Sequence, residues 1–337
     1  MQIPWIAVAA LAPVLQLAVS IDPVPGRVAV ANRGDGTVSI VDATTDTVTT
    51  TLTLPGALPA EPMYVVFAPR SGRLFVGDRA NDQVVAYDAR DLSVIGSVAV
   101  GGGVFHMAMD GRERQMWVVG DEDRTLTVFD PNSLDLLHTV PIPSDLAASA
   151  AKPHDVSLEP AGRRAFVTFF SVPGPDLVVS FSTATFAELG RRGTVESPHV
   201  LAGRDLPLAL VTGSDAVEVL HRRTLEALAS IPATGAHGTV LGRSQRFFYT
   251  TNTAGGGPAG IVTIDLESRA VVGTLDTPDG TPHNVAVTLD GRKLYCTHST
   301  GTGTSVSVYR LDPVTGLPAL DTVVPMGVNP YGIAAMR

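Results

Sequence analysis

Five histidines occupy one slot of a recurring segment. The segments are Val104-Phe105-His106, Pro153-His154-Asp155, Pro198-His199-Val200, Ala236-His237-Gly238 and Pro282-His283-Asn284. Two more copies, Pro62-Met63-Tyr64 and Pro330-Tyr331-Gly332, put Met63 and Tyr331 in the same slot. Neutral imidazole is the commonest protein ligand for zinc, copper, iron and nickel. Side chains from one repeat position converge if the repeats are arranged around an axis. His106, His154, His199, His237, His283 and Met63 are therefore the candidate metal ligands. The thioether tilts the choice towards copper, with iron next and zinc or manganese also compatible. A ring without a carboxylate does not suit magnesium or calcium. With no ion, the same slot would form a polar, water-filled channel, because several adjacent imidazoliums would repel one another.

The slot needs elements that repeat. It recurs every 38–48 residues, close to the period of about 40–45 of a four-stranded propeller unit. Each copy is a short alternating run, and several are followed by a Gly-basic turn and a second run. Examples are Gly72-Arg73-Leu74-Phe75-Val76, Gly162-Arg163-Arg164-Ala165-Phe166 and Gly291-Arg292-Lys293-Leu294-Tyr295. A third run ends on Asp, as in Thr37–Asp42, Gln83–Asp88 and Ile261–Asp265, and a fourth follows, as in Thr47–Leu52. Period-two alternation bounded by Gly, Pro, Asn and Asp is the pattern of strands. The first copy lacks its first strand and the last copy has only that strand. Joined, they complete one blade and close the ring without exposed sheet edges. The expected fold is all-β: a seven-bladed β-propeller of four-stranded blades over residues 21–337, closed by a blade shared between the two ends of the chain.

The x-Pro-x strand, the Gly-Arg turn, the strand ends Val30-Ala31-Asn32 and Tyr249-Thr250-Thr251-Asn252, and the Val262-Thr263-Ile264-Asp265 strand resemble the YVTN-type seven-bladed β-propeller repeat family. The resemblance covers roughly residues 24–337. It implies the fold; propellers host many unrelated activities, so it says little of function. The histidine placement is similar in architecture to propeller metalloenzymes such as nitrous oxide reductase, thiocyanate dehydrogenase and the carotenoid oxygenases. No ligand motif of theirs carries over residue by residue.

Composition narrows the function classes. Lys+Arg number 24 against Asp+Glu 33, a net charge of -9, so the basic footprint of a nucleic-acid binder is missing. The single cysteine, Cys296, leaves no disulfide framework and no CxxC zinc site, and a buried structural thiol is expected. Met1–Ser20 carries no charged side chain and is too interrupted by Pro for a membrane span. It reads as a signal-peptide core with cleavage before Ile21, although a basic n-region is lacking. Export would place the protein in the periplasm or outside the cell; without cleavage it would be cytoplasmic. A monomer acting on a small molecule is expected.

Strand two ends where strand one begins, so Asn32, Asp78, Asp121, Phe169, Asn252 and His298 belong near the same mouth, and Asp155 follows His154 directly. Such groups could hydrogen-bond the distal ring nitrogens. Tyr331 and His298 are the candidates for proton transfer. The Gly- and Pro-rich segments Ser171–Asp176 and Thr253–Gly260 could form a rim. Three functions fit. One is a metal-dependent oxidoreductase with copper or iron on the axis. Another is a lyase, cyclase or lactonase that uses the ion as a Lewis acid, as some seven-bladed lyases and lactonases do. The last is a binding or scaffold propeller without catalysis.

Overall fold

The computed structural model describes residues 26–253 and 260–337. The segment expected to be a signal peptide, Met1–Ser20, lies outside them, as does most of the Thr253–Gly260 loop. The described chain forms seven four-stranded antiparallel sheets. In chain order, with the innermost strand first, blade 1 starts at Pro62–Ala68, blade 2 at Val104–Met109 and blade 3 at Lys152–Leu158. Blade 4 starts at His199–Ala202, blade 5 at Ala236–Leu241 and blade 6 at Pro282–Val287. Blade 7 takes its inner strand, Pro330–Met336, from the end of the chain and its outer three from Arg27–Asn32, Thr37–Asp42 and Thr47–Thr53. Arg27 lies opposite Met336 in that junction. The shared-blade closure is therefore the one expected from the repeat.

Alternation along the strands builds the core. Each sheet buries apolar side chains on both faces, and seven hydrophobic clusters result, one at every blade–blade junction. Trp117, Val128, Val167 and Phe181 join blades 2 and 3. Ala29, Ile40, Leu74 and Tyr87 join blades 7 and 1 across the closure. Cys296 lies fully buried with Tyr249 and Leu294 between blades 5 and 6, and burial pushes its thiol pKa up. It is the structural thiol that the composition suggests. The outermost strands are largely exposed, as in Thr47–Thr53.

The inner strands share a defect that matters for the site. In six of the seven blades the register between strands one and two slips at the histidine slot. In blade 3, Pro153 pairs with Phe169 and Val156 with Val167, so His154 and Asp155 together oppose Thr168. The same two-against-one bulge occurs at Met63-Tyr64, Phe105-His106, His237-Gly238, His283-Asn284 and Tyr331-Gly332. Only blade 4 keeps a regular ladder, His199 facing Thr212. A bulge re-aims side chains and leaves a backbone N–H without its ladder partner.

Threonines on strand two supply that partner. Asp155 N donates to Thr168 Oγ1 at 3.0 Å, Gly238 N to Thr251 Oγ1 at 2.9 Å and Asn284 N to Thr297 Oγ1 at 3.0 Å. The hydroxyls in turn reach the next blade. Thr212 donates to His237 O at 3.0 Å, Thr251 to His283 O at 2.7 Å and Thr297 to Tyr331 O at 3.0 Å. The slot backbone is thus fixed from two sides. The approach is close: a Cβ on Gly238 would fall on the His283 carbonyl oxygen, and one on Gly332 on that of Met63.

Candidate metal centre

The inner strands bring all five histidines into one aromatic ring around the axis: His154, His237 and His283 from the first residue of a bulge, His106 from the second, and His199 from the regular ladder of blade 4. His154 and His199 have ring centroids 4.5 Å apart, His199 and His237 3.9 Å, and His237 and His283 4.5 Å. Tyr331 follows at 4.0 Å from His283. His106 lies 5.3 Å from His154 and 5.1 Å from His199. Tyr64 closes the circle, 3.9 Å from His106 and 5.5 Å from Tyr331. Met63 is fully buried, and the side chain of its strand that meets these rings is Tyr64. The bulge explains the change, since it turns the fourth residue of the segment inward as well as the third. No sequence pattern marks a bulge, so Tyr64 could not be singled out beforehand.

Three histidines converge most tightly. One ligand atom each of His106, His154 and His199 lies within 4.8 Å of the others. His154 Nε2 and His199 Nε2 are 3.0 Å apart. Two imidazole nitrogens bound to one ion at about 2.0–2.1 Å in tetrahedral geometry would be roughly 3.3 Å apart, close to this spacing. His106 Nδ1 is 2.8 Å from Asp155 Oδ1 across the boundary between blades 2 and 3. The carboxylate accepts, so Nδ1 carries the proton and Nε2 keeps its lone pair. That Nε2 is buried and has no hydrogen-bond partner. Asp155 is itself held by the N–H groups of Val156 at 2.7 Å and Val200 at 2.8 Å. Burial works to raise its pKa, but His106 and these donors outweigh it and hold the carboxyl below its usual range.

The opposite side of the ring is wired differently. Asn284 Nδ2 lies 3.2 Å from the Tyr331 carbonyl oxygen, which can only accept. The amide group on this side is therefore the NH2, and it donates its second proton to His283 Nδ1 at 2.7 Å. His283 must then carry its own proton on Nε2. Tyr64 Oη sits 3.4 Å from the same amide. Burial raises the pKa of Tyr64 far above that of a free phenol, and it raises that of Tyr331 although the Arg33 guanidinium opposes it. Both phenols therefore stay protonated. This side presents N–H and O–H groups, whereas the His106 side presents the free lone pair of His106 Nε2.

Burial also keeps His154, His199, His237 and His283 neutral. It lowers the pKa of His154 to about 3, with the nearby His106 adding to the effect. It lowers that of His237 to about 4, again with His106 adding. His199 and His283 are pushed down by burial and then by their imidazole neighbours. Neutral imidazoles are what a metal requires.

His298 stands apart from the ring. It is 1% exposed and its Nε2 is 2.8 Å from Ser307 Oγ within blade 6. Asn32 is bound to Thr37 and Ser39, and Asp78 accepts the Glu61 N–H at 2.9 Å. Phe169 belongs to the blade 2–3 core. Most of the strand-two ends are therefore engaged in holding the blades.

Over the mouth lie further groups, among them Phe105, which takes in blade 2 the register position that His154 and His283 hold in theirs. Phe105 is half-buried and touches His106 at 5.0 Å and His154 at 5.2 Å. Arg79 sits 5.9 Å from the Phe105 ring and pairs with Asp121 at 2.7 Å. Arg33 lies 5.3 Å from the Tyr331 ring and pairs with Glu61 at 2.6 Å. Phe170 packs edge-on against His154 at 5.1 Å. From Phe170 a groove of about 590 Å³ runs under the Ser171–Asp176 segment, bounded by Thr194 and Glu196.

No family model matches the chain, and no curated protein does. Solved structures do. A chain of Kuenenia stuttgartiensis hydrazine synthase matches with a TM-score of 0.68 and 16% identity, covering 84% of this chain and 91% of that one. Dihydro-heme d1 dehydrogenase NirN in complex with DHE matches with a TM-score of 0.63 and 17% identity, covering 94% of this chain and 76% of its own. At these identities the likeness is one of fold. No helix among the described residues is long and apolar enough to cross a membrane.

Proposed function

We propose that this protein is a metal-dependent oxidoreductase whose copper or iron ion is held by His106, His154 and His199. The observation that carries the reading is the buried, unpartnered Nε2 of His106, whose tautomer Asp155 fixes and which faces two further imidazoles. A carboxylate behind a histidine is the usual support of a metal ligand. His237, in ring contact with His199, is the candidate fourth ligand. When bound, the ion would supply Lewis acidity and one-electron chemistry at an open coordination position.

The chain's own groups do the rest. His283 Nε2–H and the phenols of Tyr331 and Tyr64 offer protons and hydrogen bonds to an anionic group developing on a substrate. Phe105 restricts water above the ring, and the groove from Phe170 gives a small organic molecule a route of suitable size. The name of one structural neighbour, a dehydrogenase, lends a precedent for redox chemistry on this fold and no more. Met63 and His298 are left out of the proposed set, because Tyr64 takes the ring position of the one strand and Ser307 holds the other side chain.

An all-nitrogen donor set also suits zinc, so a non-redox lyase or hydrolase is the second reading. Elemental analysis and electron paramagnetic resonance of tag-free protein separate the two. About one equivalent of copper or iron per chain, absent from a His154→Ala/His199→Ala variant, is expected. Zinc at that stoichiometry moves the reading to Lewis-acid chemistry. No metal after reconstitution leaves a histidine-lined binding propeller.

A further inference from the structure

On the face opposite the ring, the repeat ends each third strand with an aspartate that caps the following turn. Asp42, Asp88, Asp130, Asp265 and Asp312 accept the N–H groups of Thr44, Arg90, Asn132, Glu267 and Val314. These carboxylates also balance the basic residues of the Gly-Arg turns. Arg27 faces Asp42 and Arg73 faces Asp88 across the sheet, and Arg246 pairs with Asp265 at 2.7 Å.

Two blades depart from the rule, and they are neighbours. Blade 3 has Ser182, whose Oγ accepts the Ala184 N–H at 3.3 Å. Blade 4 has His221, whose Nδ1 accepts the Thr224 N–H at 3.3 Å. The turns are still capped, but both negative charges are gone. Arg164 faces Ser182 instead of an aspartate. Between these blades lies a groove of about 490 Å³ lined by Arg163, Arg164, Arg222, Arg223 and His221. One carboxylate, Glu159, lines it among the described residues, and it is buried, accepting the Arg163 N–H at 3.0 Å and lying 3.6 Å from Arg222 Nε. Arg222 is further fixed by the Gly203 carbonyl at 2.7 Å. The guanidiniums of Arg163, Arg164 and Arg223 have no partner among the described residues.

We infer that this groove binds a small molecule through a dianionic oxyanion group, phosphate or sulfate. Four guanidiniums against one carboxylate give a positive cavity on a chain whose net charge is -9. Its volume is that of a ligand pocket. Guanidinium forks match tetrahedral oxyanions through paired N–H donors. Arg222 is pre-positioned, and the three unpaired arginines can close on the ligand without breaking an existing ion pair.

The test is calorimetric titration of the full-length protein with inorganic phosphate at low ionic strength. One saturable site is expected, displaced by sulfate. Arg163→Gln/Arg223→Gln should weaken it by about tenfold or more. His221→Asp, which restores the residue the repeat uses there and so keeps the fold, should weaken it comparably. Arg90→Gln, at an exposed paired arginine, should leave it unchanged, and metal content should be the same in every variant. Absence of saturable binding, or equal binding in the wild type and His221→Asp, overturns the inference.

Discussion

The two sides of the histidine ring come from the same bulged segment, His106 from its second residue and His283 from its first, and they offer opposite chemistry. On the blade 2–4 side, Asp155 accepts the Nδ1–H of His106 and leaves its Nε2 lone pair beside the hydrogen-bonded His154 and His199. On the blade 6–7 side, Asn284 donates to His283 Nδ1 and leaves an N–H beside two phenols. The difference lies in one residue, the fourth of the segment, which is Asp155 in blade 3 and Asn284 in blade 6. A repeat supplies convergence; the residue after the slot decides whether an imidazole is a ligand or a donor.

The largest effect expected from this asymmetry is in metal affinity. His106→Ala or His199→Ala should lower it by on the order of 100-fold or more, whereas His283→Ala should change it by less than about threefold, with metal titrations as the readout. Equal losses at all three positions would remove the distinction. Asp155→Asn should cost roughly 10–100-fold in affinity with the ring histidines intact. Asn284→Asp should do the reverse on the other side. Its carboxylate would accept a hydrogen bond from His283, shift that ring's proton from Nε2 to Nδ1, leave the Nε2 lone pair free and add a nitrogen to the hyperfine pattern of a bound copper ion.

Acid should act on the metal-free protein next. His154 and His237 titrate at about 3 and about 4 in the folded chain, against about 6.5 when unfolded. The unfolded state therefore binds more protons below about pH 6.5, and stability falls as pH drops through that window. Each such group contributes up to about 1.4 kcal/mol per pH unit. Above pH 6.5 their contribution is complete. Chemical denaturation of the apo protein at pH 7 and pH 5 checks this, and an unchanged midpoint would contradict neutral buried imidazoles. The smallest effect is expected at His298→Ala. Losing the bond to Ser307 should cost about 1–3 kcal/mol of stability and leave metal content unaltered.

The fold was legible because strand alternation, Gly-basic turns and the split blade repeat along the chain, and each blade reports the others. The convergence of His154, His199, His237 and His283 followed from the same register, whereas His106 stands one residue beyond it and reaches the ring through its bulge. Tyr64 and the split into lone-pair and donor sides were not legible. They depend on a bulge that places residues three and four together, and on contacts such as Asp155 with His106 that cross a blade boundary. Phe105 over the mouth was hidden because the histidine beside it drew the register one residue along, although Phe105 itself holds the position of His154 and His283; no periodicity marks Arg79.

Anomalous diffraction from crystals of the metal-loaded protein, recorded on both sides of the copper and iron absorption edges, tests most directly for an ion among the three imidazoles. A peak is expected about 2.0–2.1 Å from nitrogens of His106, His154 and His199, with none at His298. A ring holding only water, with His154 and His199 still hydrogen-bonded to each other after metal loading, would contradict it.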